Sequence, residues 1–88
     1  MNKYRKKYYW MSNETVEHLI NKYIRSDEYR KILRLRMLNR YTYERISEET
    51  QDPDKFVHPY SARQIFNIVK TKEDEMFSKY ELSKRAAE

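Results

Sequence analysis

The stretch Glu28-Tyr-Arg-Lys-Ile-Leu-Arg-Leu-Arg-Met-Leu-Asn-Arg-Tyr-Thr-Tyr-Glu-Arg-Ile-Ser-Glu-Glu-Thr50, answered by Tyr60-Ser-Ala-Arg-Gln-Ile-Phe-Asn-Ile-Val-Lys70, decides the fold. Its apolar residues recur at helical spacing, and each run opens on a side chain able to cap a helix. Ser26 is placed to cap the first run, with Asp27 and Glu28 in the turn where the helix dipole favours acids. Ile32, Leu33, Leu35, Met37 and Leu38 carry its apolar content, while Arg30, Lys31, Arg34 and Arg36 make the rest strongly basic. Asn39 is the residue best able to stand in for glycine at a left-handed helix terminus. Thr42 caps the next helix, which turns Tyr43 and Ile46 inward and ends near Thr50 or Gln51. Asp52-Pro53-Asp54 and His58-Pro59 are breaks. Ser61 caps a last helix whose Ile65, Ile68, Val69, Lys72 and Met76 share an inward face, only the stem of Lys72 being buried. The pattern runs on through Phe77 and Tyr80, so this helix is expected to be long.

Upstream, Ser12 or Asn13 caps a further helix with Val16, Leu19, Ile20, Tyr23 and Ile24 on one stripe. Before it, residues 1–11 show neither helical nor strand period and read as a basic-aromatic arm, docked where Tyr8, Tyr9, Trp10 and Met11 reach the core. The expected organisation is the arm (1–11), a helical domain (12–80) and a helix-compatible tail that frays (81–88). The fold class is all-α, a small bundle of about four helices.

Composition narrows the rest. A chain of 88 residues is one small domain, with a thin core drawn from 39 % hydrophobic residues and nine tyrosines. Glycine is absent, which removes glycine-rich phosphate loops and the primed hairpin turns that favour it. Without cysteine there is neither a disulfide framework nor a cysteine-based zinc site. No apolar run approaches the roughly 18 residues of a membrane span, and nothing resembles the apolar centre of a signal peptide. The expectation is a cytoplasmic protein. The net charge of +5 is unevenly placed: Lys3, Arg5, Lys6 and Lys7 stand without an acid in the first ten residues, whereas the tail from Thr71 is slightly acidic. A basic front suits a protein that turns one side to a polyanion.

From about residue 28 to 77 the sequence resembles the sigma-factor region 4-like helix-turn-helix, a family that includes small phage and prophage transcription regulators. The resemblance lies in Ile32-Leu33-Arg34-Leu35-Arg36, then Thr42-Tyr43-Glu44-Arg45-Ile46-Ser47-Glu48-Glu49, then Ser61-Ala62-Arg63-Gln64-Ile65-Phe66-Asn67-Ile68, in that order. It covers a little over half the chain. Two departures stand out: the connection from Gln51 to Tyr60 is longer than the three or so residues usual in a helix-turn-helix, and Ala62 and Phe66 stand where the family often carries polar contact residues. The resemblance implies a protein that binds double-stranded DNA and regulates transcription.

The residues support the same expectation independently. A recognition helix reads major-groove edges near its amino terminus while the preceding helix lies across the backbone. Arg63 is suited to a bidentate contact with guanine, Gln64 or Asn67 to adenine, and Ala62 and Phe66 to thymine methyl groups. Thr42, Tyr43, Arg45, Ser61 and Lys70 are placed for the phosphate backbone, and Lys3, Arg5, Lys6 and Lys7 for a minor-groove or phosphate contact by the arm. Met76, Phe77 and Tyr80 are expected to form an exposed apolar surface for a second copy, RNA polymerase or another regulator. Neither a nucleophile with its base nor a metal ligand set is visible, so no enzyme activity and no cofactor are expected. Two rival readings keep the fold. One is a protein-interaction module with Phe66, Phe77 and Tyr80 as anchors; the other is the small DNA-recognition subunit of a phage packaging terminase.

Overall fold

The computed structural model describes residues 11–87, with side chains as far as Lys84. Within them the chain is all-α: α1 (Asn13–Tyr23), α2 (Asp27–Met37), α3 (Tyr43–Thr50) and α4 (Ala62–Ala87). Each helix starts where a short oxygen-bearing side chain satisfies an amide that the first turn leaves without a partner. Ser12, Ser26 and Thr42 accept from the amides of Thr15, Tyr29 and Arg45 at 3.2, 3.3 and 3.2 Å. At α4 the cap is reciprocal: Ser61 Oγ accepts from the Gln64 amide (3.2 Å) and Gln64 Oε1 from the Ser61 amide (2.8 Å). Such a capping box satisfies two amides at once.

The expected apolar stripes meet in one core. Val16, Leu19, Ile20 and Ile24 from α1 and its cap join Ile32 and Leu33 of α2, Ile46 of α3, and Ile65, Val69, Met76 and Phe77 of α4. At 26 residues α4 is about 39 Å long and accounts for the long axis of a 44 × 23 × 20 Å molecule. It packs on all three other helices, most extensively on α3. Its helical backbone continues to Ala87 with no break at residue 81.

Two expectations are corrected. Met76 (0 % exposed) and Phe77 (2 %) are core residues rather than a docking surface, and Tyr80 is half-buried against the same cluster. The cause is the reach of α4 along α1 and α2, which covers its inward stripe beyond Lys72. Among the described residues, the exposed large apolar side chains are instead Val57, Phe66 and Leu82. The left-handed residue after α2 is Arg40 (φ 59°), not Asn39. Here the helix closes through wide bonds, Asn39 N–H to the Arg34 carbonyl (3.1 Å) and Tyr41 N–H to the Leu35 carbonyl (3.0 Å), which places the reversal one residue later.

The basic residues of α2 are structural clasps. Arg30 donates to the Ile24 and Asn21 carbonyls at the end of α1, and Arg34 pairs with Glu17 (2.7 Å) and reaches Asn21. Lys31 donates to the Lys55 carbonyl (2.7 Å) and Arg36 to the Tyr41 carbonyl (2.9 Å). A run that looked like a charged face in sequence is a set of inter-element ties. Among the described residues, no helix is long and apolar enough to cross a membrane.

Candidate nucleic-acid interface

The first turns of α4 are aimed by the connection that precedes them. Asp52 opens it as a turn, its Oδ1 accepting from the Asp54 amide (2.9 Å) and its carbonyl from Lys55 and Phe56 (3.1 and 3.0 Å). That geometry drops Phe56 into the core, 6 % exposed, with the Lys31 ammonium 5.6 Å from its ring centroid. Two residues then fasten the return. Thr50, buried at the end of α3, accepts from the Tyr60 amide (2.9 Å), and Ser47 donates to the Tyr60 carbonyl (2.6 Å). From α2, Glu28 accepts from the His58 amide (3.0 Å) and the Tyr60 hydroxyl (3.2 Å). So the long connection is held by both α2 and α3 immediately before α4 begins.

These contacts set the protonation behaviour of the latch. Burial pushes the Glu28 carboxyl upward, but the amides of His58 and Val57, the Tyr60 hydroxyl and the nearby His58 ring outweigh it, leaving Glu28 below the ordinary glutamate value. Burial, followed by the negative Glu28 that accepts its hydrogen bond, holds the Tyr60 hydroxyl above the usual phenol range.

On the outer face of α4 Arg63, Asn67 and Lys70 are exposed, and their side chains make no hydrogen bond or ion pair among the described residues. They fall at i, i+4 and i+7, one stripe of a helix. No acid occurs between Ser61 and Lys72. Ala62, also expected to contact bases, is half-buried. Another of the expected base-contacting residues is otherwise engaged: the Gln64 carbonyl oxygen belongs to the capping box, so a bidentate contact by Gln64 would compete with the helix cap. Phe66 remains 42 % exposed on the same side, its ring edge-on to Tyr43 with centroids 5.3 Å apart. Tyr43 in turn lies under the Arg36 guanidinium at 4.1 Å. Through this contact the start of α3 and the start of α4 form one surface.

At the α3 end, Thr42 and Arg45 are exposed and the Arg45 guanidinium stacks 4.2 Å over the Tyr41 ring. Ser61 is exposed at the α4 cap. The left-handed Arg40 adds another exposed cation beside them. Glu44 and Glu48, one turn apart and exposed, place negative charge on one strip of α3. The arm residues Lys3, Arg5, Lys6 and Lys7 lie outside the described residues. No group of three or more His, Asp or Glu side chains able to hold a metal ion occurs among the described residues.

Sequence reading missed Phe56, Thr50 and Glu28. Thr50 carried a signal, since it continues the Tyr43–Ile46 stripe by one turn; Phe56, between two charged or polar breaks, carried none. No protein-family model matches this chain, and neither the curated proteins nor the solved structures contain a match to it.

Proposed function

We propose that this protein binds double-stranded DNA sequence-specifically through a helix-turn-helix made of α3 and α4, and that it serves as a small transcription regulator of a phage or mobile element. The observation that carries the reading is the acid-free stripe of Arg63, Asn67 and Lys70, exposed and without partners at the start of a helix whose orientation is fixed. Exposed cations and amides without internal partners suit a ligand that supplies acceptors, as base edges and phosphates do. In this mechanism Arg45, Arg40 and the free amides of the first turn of α3 meet the phosphate backbone. Arg63 and Asn67 read purine edges in the major groove, and Lys70 takes a phosphate one turn on. One such module buries only about 600–1,000 Å2 on DNA, so tight operator binding calls for a second DNA-bound copy or a contact with RNA polymerase or another regulator. The sigma-factor region 4-like pattern in residues 28–77 supports the same assignment.

Selection of binding sites from a random duplex pool with the full chain tests the proposal. A defined preferred sequence is expected, and Arg63→Ala or Asn67→Ala should each remove about 1–3 kcal/mol of discrimination at one position while largely sparing non-specific affinity. Uniform weakening across all sequences would reassign both residues to the backbone. Failure to retain any duplex near 50 mM salt would overturn DNA binding in favour of a protein-interaction module. A closed ring in solution that binds the selected duplex would point to packaging rather than transcription.

A further inference from the structure

We infer that Phe66 reads a pyrimidine C5-methyl group in the major groove, and that Tyr43 positions it for that contact. The inference rests on the DNA-binding reading above and deepens it. Phe66 is the exposed apolar side chain of the stripe, 42 % exposed between Arg63 and Asn67, which make no internal polar contact among the described residues. The exposed part of the ring is apolar area that a ligand docking on this stripe would remove from water. Its ring is not loose: Tyr43 meets it edge-to-face at 5.3 Å, and the Arg36 guanidinium covers Tyr43 at 4.1 Å while donating to the Tyr41 carbonyl at 2.9 Å. Edge-to-face geometry orients the ring, and the Arg36 tie holds Tyr43 to the end of α2. Phe66 is therefore a pre-oriented apolar projection on an otherwise polar, cationic stripe.

Among the groups that base edges present in the major groove, the apolar one is the C5-methyl of thymine, shared by 5-methylcytosine. Phe66 lies three residues from Arg63, about 4.5 Å along the helix axis, a little over one base-pair step of about 3.4 Å. The methyl it reads should therefore lie within two base pairs of the guanine that Arg63 contacts. Ala62, half-buried at the helix start, offers less apolar surface for this role than Phe66.

The test uses the unaltered full chain on its selected duplex, with each thymine replaced in turn by deoxyuridine, which removes only the methyl. One replacement, within two base pairs of the Arg63-dependent position, is expected to weaken binding about three- to tenfold, and the others to have little effect. Putting cytosine and then 5-methylcytosine at that position separates the methyl from the rest of thymine: the methylated base should recover affinity. Phe66→Ala should abolish the thymine-over-uracil preference while guanine discrimination through Arg63 persists, and Phe66→Leu should retain part of it. If every thymine tolerates uracil in a duplex that still depends on Arg63, the methyl assignment falls and DNA reading stands. The same holds if the preference survives in Phe66→Ala. Failure to select any preferred duplex would instead remove the DNA-binding reading itself.

Discussion

Glu28 shows how one side chain serves two purposes. At the sequence level it is an acid in the first turn of α2, which the helix dipole alone explains. In the folded chain it also binds the His58 amide and the Tyr60 hydroxyl, thirty or more residues away. Because its folded pKa lies below the ordinary glutamate value near 4.5, its contribution is present above that value. It is lost as pH falls through the lower folded value. Glu28→Gln should therefore cost about 1 kcal/mol at neutral pH, and the gap to the parent protein should close on acidification below about pH 4.5. Thermal melts of both proteins from pH 7 to pH 3 measure this. Glu75, also held low by Lys79 and Lys72, remains in both chains and cancels in the difference. A gap that stays constant across the range would show that the charge of Glu28 does not hold the connection.

Among the elements, the α2–α3 turn and the α3–α4 connection solve the same problem without glycine. The first forces Arg40 to a φ of 59°, where the Cβ of an L-residue crowds its own backbone at a cost of roughly 1–2 kcal/mol. Arg40→Gly should relieve much of that and raise the thermal midpoint by several degrees, as expected for about 1 kcal/mol in a domain of this size. A lowered midpoint would mean that the arginine side chain stabilises the turn by more than its conformation costs. On the proposed DNA-binding reading, the same substitution removes an exposed cation and should weaken duplex binding modestly without changing sequence preference. The second connection avoids a left-handed residue altogether. It anchors Phe56 in the core and satisfies Tyr60 with Ser47, Thr50 and Glu28. Length is replaced by contacts, which is why a connection much longer than a tight turn still fixes α4.

For the whole molecule the question is which of its positive charges are available to a polyanion. The cations of α2 are tied to carbonyls, carboxylates and rings inside the fold. Arg40, just before α3, Arg45 on α3, and Arg63 and Lys70 on α4 are all exposed. Each phosphate neutralised contributes about 0.9 to the log-log salt slope. Replacing Lys3, Arg5, Lys6 and Lys7 with glutamine should thus reduce the slope by up to about 3–4 if all four reach phosphates. Titration of the parent and the quadruple variant against one duplex between 50 and 200 mM salt measures it. An unchanged slope would leave the arm without a DNA contact and confine the interface to α3 and α4.

The all-α class, the starts of the four helices and most of the core were legible in the sequence, because caps and 3.6-residue periodicity are local properties of the chain. The exposure of Arg63, Asn67 and Lys70 followed from the same periodicity. What the tertiary structure alone decided is what each face meets. Local spacing marks Met76 and Phe77 as apolar, but only the reach of the neighbouring helices makes them core. It marks Arg30 and Arg34 as basic, but only the proximity of α1 turns them into clasps. Nor does spacing bring Tyr43 to Phe66 or Glu28 to Tyr60, since such pairs form between residues far apart in sequence that packing makes neighbours.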